Sequence, residues 1–220
     1  MSYIVAENLG KHYGNGNGVV AAISEISFNI KSGEFVGIMG ESGAGKSTLL
    51  AVMGAMNAPT TGSLTVDEID IYSLRSEQRA DFRREFLGFV FQSFHLIPYL
   101  TVIENVMLPL TTVKARRQDK QAMAREVLSQ VGLLDKSHRL PNQISGGEKE
   151  RVAIARAVVN EPPILLADEP TGNLDTKTSG ELQSLNAGGT TIVMVTHSHQ
   201  CAGYARRIMQ VSDGKLVEEG

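Results

Sequence analysis

The sequence predicts an α/β fold: a buried, largely parallel sheet alternating with helices, accompanied by a small antiparallel β lobe and a helical lobe. Three observations carry this. Short apolar runs rich in β-branched residues occur at Phe35–Met39, Leu87–Phe91, Ile164–Ala167 and Thr191–Val195, each bounded by Gly, Pro or polar residues. They lack the polar alternation of a half-solvated strand, so both of their faces should be covered. Helical patterns follow at Lys46–Met53, Asp119–Val131 and Gly146–Val159, and strand followed by helix, repeated, is the α/β signature. The first 30 residues differ: "YIVAENL" and "VVAAISEISFNI" surround the glycine-rich turn "YGNGNG", Tyr13–Gly18, as an antiparallel hairpin would.

The boundaries expected are one domain over 1–220, with about 1–92 and 161–220 forming the core with its β lobe and about 93–160 forming the helical lobe. Within that lobe "HLIPYLTVIENVMLPL" holds more apolar side chains than one exposed loop should show, which predicts a docking surface.

Composition excludes several classes. A chain of 220 residues with 42% hydrophobic and 20% charged residues can bury one substantial core. The net charge of -3 supplies no global basic field, and the densest basic cluster, Lys114–Lys120, contains an acid and reads as a solvated helix face; no nucleic-acid partner is expected. One cysteine, Cys201, cannot form an internal disulfide, which points to a reducing compartment. "MSYIVAENLG" is too polar for a signal peptide, and apolar runs such as "LLAVMGAM" from Leu49 fall short of the roughly 18 residues a spanning helix needs. Work at a membrane would require another chain to hold this one there.

The chemistry concentrates in three stretches. "GIMGESGAGKST", Gly37–Thr48, places Gly40, four residues, then Gly45, Lys46 and Ser47 between a strand and a helix. That is a phosphate loop in its required context. Glycines let backbone N–H groups curl around phosphate oxygens, Lys46 adds a point charge toward the β and γ phosphates, and Ser47 offers a hydroxyl to magnesium. The helix N-terminus adds its own positive field.

"LADEPTGNLD", Leu166–Asp175, ends a buried strand with Asp168 and Glu169 at its C-terminal edge, where open parallel sheets bind ligands. A magnesium nucleotide needs a carboxylate near the metal, and a water attacking the γ phosphate needs an acceptor aligned with it. Asp168 suits the first task and Glu169 the second.

"ISGGEKERVAIARAVVNEPP", Ile144–Pro163, sets Ser145 as an N-cap before Gly146 and Gly147, and then a helix whose Val152, Ile154, Ala155, Val158 and Val159 face inward. It is either a second phosphate-binding end or a capped helix after a flexible turn.

These stretches, with the glutamine of "VFQSF" and with "VTHS", resemble in order the Walker A, Q-loop, signature, Walker B with D-loop, and H-loop motifs of ABC-transporter ATPase subunits. The likeness covers nearly the whole chain. "VFQSFHLIPYLTVIENVMLPL" and "DEPTGNLD" are similar to the branch that contains lipoprotein-release and macrolide-export ATPases, antimicrobial-peptide resistance ATPases and cell-division ATPases.

The resemblance implies a RecA-like phosphate-loop core, ATP and Mg2+ as ligands, and ATP hydrolysis coupled to transport. It implies that Tyr13 stacks on adenine, a hairpin-capping role being the alternative. Gly40, Glu41, Ser42, Gly43, Ala44, Gly45, Lys46, Ser47 and Thr48 would hold the phosphates. Ser47 and Asp168 would serve the metal, Gln92 would contact the metal or the lytic water and report nucleotide state to the partner, Glu169 would act as general base, and His197 would position it and the γ phosphate, with Lys46 joining them in catalysis. Ser145, Gly146, Gly147 and Glu148 would reach the nucleotide held by a second copy of the chain, and Asp175 would cross that interface. A separate transmembrane permease would contact Gln92–Tyr99, placing the protein in the cytoplasm on the inner face of the cell membrane. Export or extraction of lipoprotein, peptide or drug-like substrates is the function implied. The alternatives are a regulatory ATPase of a cell-division complex and a soluble relative acting on nucleic acid or ribosomes.

The chain departs from the family pattern at Ile144 for leucine, Glu148 for glutamine and Ser198 for aspartate. The segment "TKTSGELQSLNAGG" is about one helical turn short, which puts local helix packing in question. His197, His199 and Cys201 alternate as metal ligands on a strand would, but the strand should end near Thr196. His95 and His138 read as surface or interface histidines.

Overall fold

The structure, a computed structural model, describes residues 2–14, 18–170 and 176–219. The first strands are β1 (Ser2–Tyr13) and β2 (Val20–Lys31), followed by β3 (Phe35–Met39), helix α1 (Lys46–Met53), β4 (Thr61–Val66) and β5 (Ile69–Asp70). Next come α2 (Ser76–Phe86), β6 (Leu87–Val90), α3 (Val102–Met107), α4 (Arg117–Gln130) and α5 (Gly146–Val158). The chain continues through β7 (Ile164–Asp168), α6 (Thr176–Ala187), β8 (Thr191–Thr196), α7 (His199–Ala202), β9 (Arg207–Ser212) and β10 (Lys215–Glu219).

Two sheets result. One is antiparallel, in the order β2-β1-β4-β5, and the hairpin expected of the N-terminus is its β1–β2 pair. The other runs β10-β9-β3-β8-β7-β6, parallel except at its β9–β10 edge.

Period-two alternation explains how the second sheet is covered on both faces. Val36, Ile38, Ile164, Leu166, Val193 and Val195 point to one side, into a core shared with α1 and the antiparallel sheet. Phe35, Leu165, Ala167, Ile192 and Met194 point to the other, beneath Ala153 and Ile154 of α5, Leu182 of α6 and Cys201 of α7. Each Val, Leu, Ile, Met or Phe side chain among them contributes on the order of 1.5–3 kcal/mol through its removal from water. Despite its short segment, α6 thus packs on the sheet through Leu182.

Between β6 and β7 a third cluster joins α3, α4 and α5 through Val102, Val106, Ala124, Leu128, Val152 and Ala155, with Leu110 of the 3-10 turn that follows α3. This corrects the reading of "HLIPYLTVIENVMLPL" as surplus apolar surface: Val102, Ile103, Val106 and Leu110 are buried in that cluster, and Tyr99 is the large apolar residue left exposed in the stretch.

Candidate active site

The site lies where β3 and β7 end, with β8 paired between them. After Met39 the chain turns at Gly40, where a Cβ would stand 2.1 Å from the Val211 carbonyl oxygen, and again at Gly45, with φ +97° and a Cβ position 2.2 Å from the Ala22 oxygen. Only glycine permits these backbone approaches. Gly45 then opens α1, and neither a side-chain cap nor a first-turn acid occupies that end, leaving its N–H groups suited to an anion. The Lys46 ammonium, on a buried residue, donates to the Gly40 and Glu41 carbonyls at 2.8 Å each, and so sits within the loop.

Across β8, Ser47 Oγ donates to Asp168 Oδ1 at 3.1 Å. Burial raises the Asp168 pKa, the Ser47 hydroxyl and the Lys46 charge oppose that rise, and the neighbouring Glu169 charge adds to it. A hydroxyl and a carboxylate oxygen side by side, with the ionised carboxylate disfavoured until a cation arrives, fit a hard divalent ion such as Mg2+.

Glu169 follows the strand with φ +42°, a region sparsely used by residues other than glycine, and its N–H donates to the Val195 carbonyl at 2.9 Å. That turn carries its carboxylate between two partners. Gln92 Nε2 donates to Oε2 at 2.9 Å, and His197 Nδ1 lies 3.1 Å from Oε1. Thus Ser47 is bonded to Asp168 although they are 121 positions apart, the next residue Glu169 is bonded to Gln92 and His197, and Lys46, beside Ser47, is bonded to the loop carbonyls.

Ser145 caps α5: its hydroxyl accepts from the Glu148 N–H at 3.3 Å while its own N–H donates to Glu148 Oε2 at 2.8 Å. Lys136 also donates to Glu148, and this bond together with the Ser145 N–H holds the Glu148 pKa down to about 2. Ser145 and Gly146 are exposed. Tyr13, at the end of β1, is 43% exposed, with Asn57 Nδ2 donating to its hydroxyl at 3.3 Å and the Lys11 ammonium 5.2 Å from its ring. Asp175 lies outside the described residues. After β8 ends at Thr196 the chain enters α7, where Cys201 is buried, so His197, His199 and Cys201 do not share a strand face.

Two residues escaped the sequence reading. Asn105 is fully buried, accepts from the Ile97 N–H at 2.7 Å and donates to the carbonyls of Ile97, Leu100 and Thr101. Arg156 donates to the His95 and Phe94 carbonyls at 2.7 and 2.5 Å. A lone Asn inside "VIENVM" was the available signal for the first. No local pattern marks the second.

A phosphate loop facing strand-borne acids across a parallel sheet defines a phosphate-loop ATPase. Residues 23–172 match the family described as ABC transporter, and the chain belongs to that family as an ATP-binding, ATP-hydrolysing subunit. It is 43% identical to the lipoprotein-releasing system ATP-binding protein LolD of Geobacter metallireducens, over 99% of each chain. It is 44% identical to the macrolide export ATP-binding/permease protein MacB of Burkholderia cenocepacia, over 91% of this chain but 30% of that protein's length. Among solved structures, the dimeric post-hydrolysis state of the ATP-binding cassette MJ0796 bound to ADP and Pi superposes with a TM-score of 0.92 at 41% identity, covering 99% of this chain and 97% of that one.

Proposed function

We propose that two copies of this chain enclose two ATP molecules head to tail and drive a separate membrane permease. The observation that carries the reading is the contact chain from Ser47 through Asp168 to Glu169, Gln92 and His197. The loop from Gly40 to Thr48 holds the triphosphate, Lys46 turns from its loop carbonyls to the β and γ oxygens, and Tyr13 stacks on adenine. Ser47, Asp168 and Gln92 hold Mg2+, which neutralises phosphate charge when bound. Glu169 accepts the proton of the attacking water. With Nδ1 of His197 on Glu169, its Nε2 faces the γ phosphate.

Ser145, Gly146, Gly147 and Glu148 of each copy reach the nucleotide gripped by the other, and Gln92–Tyr99 meets the permease. The dimeric solved relative supports the pairing. The relatives named for lipoprotein release and macrolide export support extraction or export of lipoprotein, peptide or drug-like substrates. The same relatives support a place at the cytoplasmic face, held there by the permease. Among the described residues no helix is long and apolar enough to cross a membrane. Sedimentation of Glu169→Gln with Mg-ATP tests the reading: a dimer is expected, and a monomer at saturating nucleotide overturns it.

A further inference from the structure

We propose that Arg156 is a positioning residue that makes the turn carrying Gln92 move as one body with α5, the helix that begins at Ser145. Gln92 sits in a tight turn, in which the Phe94 N–H donates to the Phe91 carbonyl and the His95 N–H to the Ser93 carbonyl. Phe94 and His95 both have positive φ, +58° and +46°, a pair of left-handed residues that neither glycine nor asparagine relieves. Something outside the turn must hold them. The Phe91 and His95 rings pack 4.8 Å apart, and the two prongs of the Arg156 guanidinium take the two successive carbonyls of Phe94 and His95. A planar fork fixes both distance and orientation, which the single ammonium of lysine does not.

Arg156 itself stands on the last turn of α5, whose Ala153, Ile154 and Ala157 are buried against the parallel sheet. Burial pushes the guanidinium pKa down, so this half-buried charge has given up part of its water to reach two carbonyls. The path therefore runs from Ser145 along α5 to Arg156, through the turn to Gln92, and from Gln92 Nε2 to Glu169. Resting on the sandwich-dimer reading, its consequence is that nucleotide seized by Ser145 in one site resets the general base of the other.

The test places spin labels at Ser93→Cys and Arg125→Cys, on the turn and on α4, and measures their distance in wild type, Arg156→Lys and Arg156→Met. Lysine keeps the charge without the fork; methionine keeps the stem without a charge to bury. In the nucleotide-free protein either folded variant should broaden the distance distribution about twofold, with an unchanged distribution for a control pair at Glu25 and Glu68. Widths equal to wild type overturn the assignment, as does loss of the fold in both variants, which would place Arg156 among purely structural residues. The measurement needs no dimer. Failure of Glu169→Gln to dimerise removes the sandwich reading and the consequence drawn from it, and leaves the tether itself decided by the widths.

Discussion

The Glu169 carboxylate is gripped from both sides, by Gln92 at 2.9 Å and by His197 at 3.1 Å. Its two oxygens are therefore aimed before any substrate arrives. Replacing Glu169 with Gln keeps the shape and removes the proton acceptor. Steady-state hydrolysis should fall by about 10² to 10⁴ while ATP affinity stays near wild type. Wild-type turnover in that variant would take the general-base role away from Glu169.

Ser145→Arg probes the partner's side of the site. Ser145 is exposed and spends its hydroxyl on its own helix cap. A bulky cation there should abolish turnover and leave nucleotide affinity of the monomer intact, as read by fluorescent-nucleotide titration. Lost monomer binding would show that the serine serves its own chain.

Asp168 has its pKa raised, chiefly by burial. The sign follows: with both states protonated at low pH there is no penalty, and as pH climbs through the ordinary value and then the folded one, ionisation costs stability. Asp168→Asn should therefore melt higher than wild type at neutral pH without nucleotide, and should lose the extra rise that Mg2+ adds to ATP. A lower melting temperature in the nucleotide-free variant contradicts this account of the strand end.

Glu148 behaves oppositely. Its pKa is depressed from 4.5 to about 2 by Lys136 and the Ser145 N–H, so the stabilisation is complete above 4.5 and drains away as pH falls toward 2. Glu148→Gln, which installs the residue commoner in the signature, should melt below wild type near neutrality, and the gap should close over that acidic window. A gap independent of pH would mean that charge plays no part.

Asn105→Leu takes from the half-buried Ile97 N–H and Leu100 carbonyl the partner that Asn105 supplies, while the Ile97 and Thr101 carbonyls keep the backbone N–H groups of residues 100 and 105. Urea unfolding should show a loss of about 1–3 kcal/mol at unchanged slope.

The sequence disclosed what repeats locally. Strands β3, β6, β7 and β8 were legible because, buried on both faces, they are continuous apolar runs, and the loop from Gly40 to Ser47 was legible because each residue type there has one chemical task. Helix α2 went unseen because it is almost wholly polar and buries Phe82 alone. Strands β4 and β5 hide in "TGSLTV" and "ID", where burial by neighbouring strands overrides weak local preference. The apolar stretch after Gln92 misled for a related reason: composition states that side chains must be covered, and only packing states by what. The clamp of Arg156 on Phe94 and His95 joins positions 62 and 61 apart. No window along the chain contains both ends.

The distance along the chain between Ser47 and Asp168 bears on the protein's own synthesis. The strand seated between β3 and β7, β8, is made later than either, so an incomplete chain owns a phosphate loop but not the acids, nor the scaffold that brings them near it. A chain cut short before Asp168 therefore carries the phosphate loop without the carboxylate that the finished fold sets beside Ser47.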